Sequence, residues 1–474
     1  LETTIAGAAT LTGRTRGGWS IGLLDAFTMR EEARFRTELG RDSTAVVEPA
    51  ANYFIGRVKR DLRGGNTTLG AALNTVHRAL GDDALDPLFR TAAYAGGFDW
   101  NHAWHKREWS FDGAIVATHN LGSAEAIDAL QLSPARYYQR PDRRGFHRDP
   151  SRTSLTGYMA EASLAKLAGT HWRFSLTAQD YHPGFEINEV GFEGSTDMRG
   201  IAPLIGYVET KPGKFVRFRE SFLFWNPSWN YDGDMTFNGV GALTFLQTKN
   251  FWGIFGRLDW RPPVIDDRLT RGGPVGLVPA QFGWGFELTS DSRKKHRFGM
   301  FMNRFTNSEG GWRQFFGPFV TLKPSPAVRV ELSPGFSRSH QLAQYVTTQT
   351  DANAADTYGA RYVFATLHQN ELSMQTRVDW TFTPRLSLQV FAQPLISSGD
   401  FADFKEFVRP RQFNFAVYGR DVGTITRDPA DATYTVDPDG LLGSSPAFTF
   451  RDPDFNQRFL RGNALVRWEY RPGS

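Results

Sequence analysis

The stretch Asn370-Glu371-Leu372-Ser373-Met374-Gln375-Thr376-Arg377-Val378-Asp379-Trp380-Thr381-Phe382-Thr383-Pro384 decides the fold. Leu372, Met374, Val378, Trp380 and Phe382 share one parity, and Ser373, Gln375, Arg377 and Asp379 share the other. Successive side chains of a β-strand point to opposite faces, so this segment reads as a strand that is apolar on one side and charged on the other. The same split recurs outward along the chain. Trp252, Ile254, Leu258 and Trp260 oppose Arg257 and Asp259; Phe282, Trp284, Phe286 and Leu288 oppose Glu287 and Thr289. Val328, Val330 and Leu332 oppose Arg329 and Glu331; Leu460, Val466, Trp468 and Tyr470 oppose Arg461, Asn463, Arg467 and Glu469.

Counted this way, the chain holds about nineteen strands. Short links alternate with longer ones. Gly13 to Gly18, Arg63 to Asn66, Ala168 to Thr170 and Thr383 to Pro384 are tight, whereas 31–49, 121–152, 262–278 and 399–456 are long. Turns on one sheet edge and loops on the other are the mark of an up-and-down transmembrane β-barrel. The reading is therefore all-β: one large antiparallel up-and-down transmembrane barrel domain over 1–474, whose four long segments are outer loops. Strand parity predicts at least one strand before residue 1 and about two after Ser474, so about 22 in the full-length protein.

Composition agrees. The 474 residues include 47 Gly, 39 Phe and 13 Trp, and no Cys, which excludes disulfide scaffolds and thiol chemistry. Mean hydropathy is −0.40, and no run approaches the roughly 18 to 20 apolar residues of a membrane-crossing helix. Lys plus Arg total 54 against 50 Asp plus Glu, interleaved along the chain, so nucleic acid is not an expected partner. A soluble sandwich or propeller would also alternate. Against it stand the weight of Phe and Trp on the apolar parity, the Trp and Tyr gathered near strand ends (Trp19, Trp100, Trp109, Trp468), and the lack of a blade-length repeat. The residues from Leu1 to Gly7 lack a basic and apolar leader, as after removal of a signal or in a piece of a longer chain.

Two segments resist the rule. Glu220 interrupts the parity of Val216, Phe218, Phe222 and Phe224, and Asp25 shares a parity with Leu23 and Phe27. A cation facing lipid at midplane costs up to about 2 to 4 kcal/mol and an acid less, so these positions are expected at bulges, at the interface, or in the opposite register.

Several strings resemble a bacterial family known as domain of unknown function 5916. They are Leu11-Thr12-Gly13-Arg14-Thr15 with Gly17-Gly18-Trp19-Ser20-Ile21-Gly22, Tyr138-Gln139-Arg140-Pro141-Asp142, Trp380-Thr381-Phe382-Thr383-Pro384 through Leu386-Ser387-Leu388-Gln389, and Asn463-Ala464-Leu465-Val466-Arg467-Trp468-Glu469-Tyr470-Arg471-Pro472. The resemblance spans essentially the whole chain. It implies an outer-membrane β-barrel that usually follows a carbohydrate-binding domain of family 9 type, and it carries no reaction and no catalytic residue across.

Candidate functional residues lie on the polar parity and in one loop. Arg257 and Asp259, Arg329 and Glu331, Arg377 and Asp379, and Arg467 and Glu469 repeat an Arg, apolar, acid pattern that puts both charges on the lumen side. Such rows either tune the selectivity of a pore or form a solvated ion-pair lattice that stiffens its wall. In the loop 121–152, Ser123 is placed to cap a short helix through Leu130 with Glu125 in its first turn. Tyr138, Arg140, Arg143, Arg144 and His147 then form a basic, aromatic stretch, with Arg136 and Arg148 beside it. Folded inward, that stretch would constrict the channel and attract anionic or sugar-like solutes; on the surface it would meet lipopolysaccharide. The string Asp437-Pro438-Asp439-Gly440 lacks the remaining ligands of a calcium loop, and neither metal nor cofactor is implied. No His-Glu-x-x-His or Gly-x-Ser-x-Gly string occurs.

The sequence thus reads as a channel, transporter or export conduit of the bacterial outer membrane. Its expected partners are outer-membrane lipid and lipopolysaccharide, and a small polar solute or saccharide. The alternative is an anchor for a carbohydrate-binding or surface-interaction protein; an outer-membrane hydrolase stands third.

Overall fold

The computed structural model describes residues 3–81, 84–440 and 442–470. Arg471 and Pro472, the end of the last expected strand and of the resembling string, lie outside the described residues, as does Leu1. The alternating segments form one antiparallel sheet of 20 strands. One of them, Phe415–Val417, has three residues, and the remaining nineteen are the strands anticipated from alternation. No helix among the described residues is long and apolar enough to cross a membrane.

The described residues divide into two compact units. In the first, each strand pairs with its sequence neighbour, from Ile5–Arg14 through Trp19–Thr28, Ala50–Leu62, Thr67–Ala79, Ala92–Trp104, Trp109–Leu121 and Ser154–Lys166 to Trp172–Tyr181. The second repeats the plan from Gly253–Arg261 through Gln281–Thr289, Arg297–Asn307, Trp312–Ser325, Val328–Thr350, Ala360–Thr383 and Leu386–Phe407 to Phe455–Trp468.

Register shows how the apolar parity is used. In the second unit Phe286, Met302, Phe316, Phe336, Leu372 and Ile396 are successive cross-strand neighbours in one row. The last four are 41%, 46%, 44% and 45% exposed. In the first unit Phe98 lies beside Ala71 and Ile115, and Leu164 between Phe111 and Leu176, all on an exposed face. A continuous apolar face of this extent needs an apolar surrounding, and the opposite parity carries the charges.

Three of the four long segments carry further β-structure. Glu31–Arg36 pairs with Asp42–Glu48, Val264–Asp266 with Gly276–Val278, and Thr424–Asp428, Thr433–Asp437 and Phe448–Arg451 make a three-stranded sheet. Strands Val328–Thr350, Ala360–Thr383 and Leu386–Phe407 run 23, 24 and 22 residues, far beyond the roughly 9 to 11 that cross a bilayer. Their extensions are covered on both faces. Val363 and Ala365 pack with Phe404, Tyr418 and Val436, while Tyr362 and Phe364 pack with Phe407. Continuous burial replaces alternation there, which is why Tyr362-Val363-Phe364-Ala365 reads as an unbroken apolar run.

The two irregular segments resolve differently. Asp25 lies in the exposed-face row that continues through Phe54, Thr75, Tyr94 and His119, a mixed aromatic and polar row of interface character, and Asn52 donates to it at 2.8 Å. The strand Val216–Trp229 has the opposite register to the one its Phe residues indicate. Leu223 and Trp225 lie on the exposed face, and Phe224 is buried on the charged one with the Arg257 guanidinium 5.1 Å from its ring. Glu220 therefore belongs to the polar parity and faces no lipid.

Phe224 fits because its neighbour strand offers Gly241, where a Cβ would come 2.6 Å from the ring. Phe305 lies likewise over Gly283, with an added Cβ at 2.3 Å. A Gly283→Ala substitution is expected to force that ring off its rotamer and to cost about 1 to 3 kcal/mol, read as a lower urea midpoint for refolding into bilayers. An unchanged midpoint would show that Phe305 has free space to move into.

Candidate functional site

Two arrangements of polar groups stand out, and each lies within one unit. The first is the set of charged rows. Arg329 faces Asp379 across the strand pair and Glu331 faces Arg377, so these four make a checkerboard in which every charge has an opposite neighbour. Arg329 also bonds Glu331 along its own strand, and Arg257 holds Asp259 by two 2.7 Å bonds. Asp259 is buried while the Arg257 side chain stays 41% exposed. Arg467 is placed apart, opposite Ser387 on the exposed strand Phe455–Trp468, and Glu469 donates its backbone N–H to the Arg385 carbonyl. The eight residues thus form one quartet, one separate pair and two peripheral positions.

The second arrangement is the segment 121–152. Helix α1, Ala124–Leu132, starts where the sequence indicates: the Ser123 hydroxyl accepts from the Ala126 N–H at 3.2 Å, and Glu125 lies in the first turn. Ile127 packs with Tyr138 and Leu155, on the face of strand Ser154–Lys166 opposite exposed Tyr158 and Leu164. The segment therefore lies against the polar side of the sheet.

Its arginines are clamps. Arg136, with no exposed side-chain surface, donates to the Leu130, Pro183 and Phe185 carbonyls at 2.6, 3.0 and 2.9 Å and to Glu186 at 2.7 Å. Arg140 pairs with Asp232, and Arg143 bonds Asp197 at 2.7 Å beneath the Tyr138 ring. All six side chains are essentially buried. Arg148 forks onto Asp128 at 2.7 Å, which holds that carboxyl below the usual range. Burial pushes the Tyr138 hydroxyl up, against the opposing pull of Arg136 and Arg143.

This changes what the basic stretch can do. Tyr138, Arg140 and Arg143 face protein rather than solvent, and only Arg144 and His147 of the five candidate residues are exposed. Most of the positive charge is consumed internally and is not available to a solute. The sequence reading missed Glu186, Asp197 and Asp232, which arrive from two other connections. Glu186 and Asp197 lie in the long connection before strand Met198–Glu209, whereas Asp232 lies in the short turn after strand Val216–Trp229, and no spacing in the sequence marks them as partners.

Elsewhere, Asp437 accepts from the Gly440 N–H at 2.9 Å and Asp439 from the Ser445 N–H at 2.9 Å, so the acidic string closes its own turn. Among the described residues no group of three or more His, Asp or Glu is arranged to hold a metal ion.

No curated protein matches the chain. Among solved structures it is similar to a mutant of the ferric enterobactin receptor of Pseudomonas aeruginosa in complex with enterobactin, at 7% identity and a TM-score of 0.41, over 96% of this chain and 82% of the other. A second mutant of that receptor aligns at 10% identity and a TM-score of 0.44, over 97% and 77%. An anion-selective porin from Comamonas acidovorans aligns at 9% identity and a TM-score of 0.25, over 94% and 100%. The profile of one family, described as Domain of unknown function (DUF5916), matches residues 2–409, and the chain belongs to that family.

Proposed function

We propose that this chain is the wall of an outer-membrane β-barrel that moves a small polar solute, as a channel, transporter or export conduit. One observation carries the reading: the strands keep an apolar face exposed and a charged face opposite it, as a sheet between lipid and water must. The quartet of Arg329, Glu331, Arg377 and Asp379 lines the aqueous side, where its balanced charges favour neutral polar solutes such as saccharides over ions of either sign. The segment 121–152, held on the same side of its own sheet, is the restricting element.

A specific observation favours a second reading. Three buried Arg–acid pairs fix the segment in one place, as a permanent plug beneath a surface-anchored protein would require. Planar-bilayer recording of the complete protein separates the two. A conduit shows steady conductance that rises when the segment 124–149 is replaced by a short Gly/Ser linker. Silence in both forms, with insertion confirmed, would overturn transport in favour of the anchor.

A further inference from the structure

We infer that the outward rim of the second unit's exposed face is a binding site for the phosphorylated headgroup of an outer-leaflet lipid. The inference rests on the proposal that this face meets the bilayer, and it adds the identity of one lipid-borne ligand.

The apolar row Phe316, Phe336, Leu372 and Ile396 is followed toward the outer strand ends by two rows that are more polar. The next row on the same face reads Trp284, Arg304, Gln314, Arg338 and Asn370. The row after it reads Trp312, His340, His368 and Asp400. These positions share the parity of the apolar face, so their side chains leave the sheet on the side where acyl chains would lie and at the level where those chains end.

Two arginines, two histidines and one carboxylate occupy these rows. Arg304 lies 4.9 Å from the Trp312 ring and spends one donor on Gln314 at 2.8 Å. Arg338 is exposed. Among the described residues neither has an acid within ion-pair distance, in contrast to Arg257 and Arg329 on the opposite face. His340 and His368 meet Nδ1 to Nδ1 at 3.3 Å, with ring centroids 4.5 Å apart, and Asp400 lies beside His368. Arg304 and Arg338 flank Gln314 on adjacent strands, one register step on each side. Guanidinium forks facing outward without carboxylate partners suit phosphate oxygens, and Trp312 offers an amphipathic ring at the same depth. A phosphate tethered to acyl chains satisfies both halves of the surface at once, whereas free phosphate uses only the rim.

The test refolds the full chain into nanodiscs containing lipid A with two phosphates, the same lipid stripped of phosphate, or phosphatidylglycerol. Quenching of tryptophan by brominated lipid reports insertion, and native mass spectrometry after gentle detergent release counts retained lipid. Wild type is expected to retain the phosphorylated lipid about tenfold better than the stripped form, and excess inorganic phosphate is expected not to displace it. The double variant Arg304→Gln with Arg338→Gln should insert normally and lose that preference. Arg313→Gln, adjacent in sequence but on the opposite face, should keep it. Equal retention of the two lipids by inserted wild type, displacement by free phosphate, or an equal loss in Arg313→Gln would overturn the site. Failure of wild type to insert would instead overturn the bilayer reading beneath it.

Discussion

Replacing Arg136 by methionine is expected to release the segment 121–152 from the sheet while leaving the strands beneath it folded. The guanidinium serves three carbonyls and the Glu186 carboxylate with no exposed surface of its own. Methionine fills much of the volume but leaves Glu186 buried and uncompensated, a loss of about 3 to 5 kcal/mol for a pair of this kind. Amide exchange through 133–149 should therefore speed up about 100-fold or more, while Trp109–Leu121 stays protected. Adding Glu186→Gln should recover part of the protection, because the stranded charge is the larger part of the penalty. Unchanged exchange in Arg136→Met would mean that the apolar contacts of Ile127, Tyr138 and Leu155 hold the segment by themselves.

The second large effect is a contrast between two adjacent residues. Met374 lies on the apolar parity, opposite Pro334 and inward of the Phe336 and Leu372 row, and Gln375 lies on the charged parity. Met374→Arg should destabilise the bilayer-inserted protein by about 2 to 4 kcal/mol, and Gln375→Arg by well under 1 kcal/mol. Urea titration of both variants in bilayers reads the difference directly. Equal, small effects would mean that the two faces meet the same solvent.

Much of this sheet is legible in sequence because its faces meet two different surroundings. The stretch 372–382 alternates with Thr376 as its one polar residue on the apolar parity, and its neighbours place Val330 against Val378 and Val378 against Val390 on that side. Strand Val216–Trp229 misleads for a physical reason. Phe222 and Phe224 pack over Gly206 and Gly241 on the charged face, Phe224 also under Arg257, while Arg217 and Arg219 hold exposed-face positions close to the Lys211 to Gly213 turn, where a charge costs little. Parity alone does not separate an aromatic facing lipid from one roofing a glycine. The site was legible in part. The helix cap at Ser123 is a local signal, but the pairs of Arg136, Arg140 and Arg143 reach across 50, 92 and 54 residues of chain, and no local pattern encodes such partners.

The chain has no native cysteine, so single cysteines can be introduced without a background. Nitroxide labels at Phe336, Leu372 and Ile396, and at Ser337, Ser373 and Gln375 on the opposite parity, would then be compared in bilayers for collision with oxygen and with a water-soluble nickel complex. Oxygen is expected to reach the first three, which are shielded from nickel, and the second three are expected to show the reverse. Nickel access at all six positions would contradict it, since the exposed apolar face would then be meeting water.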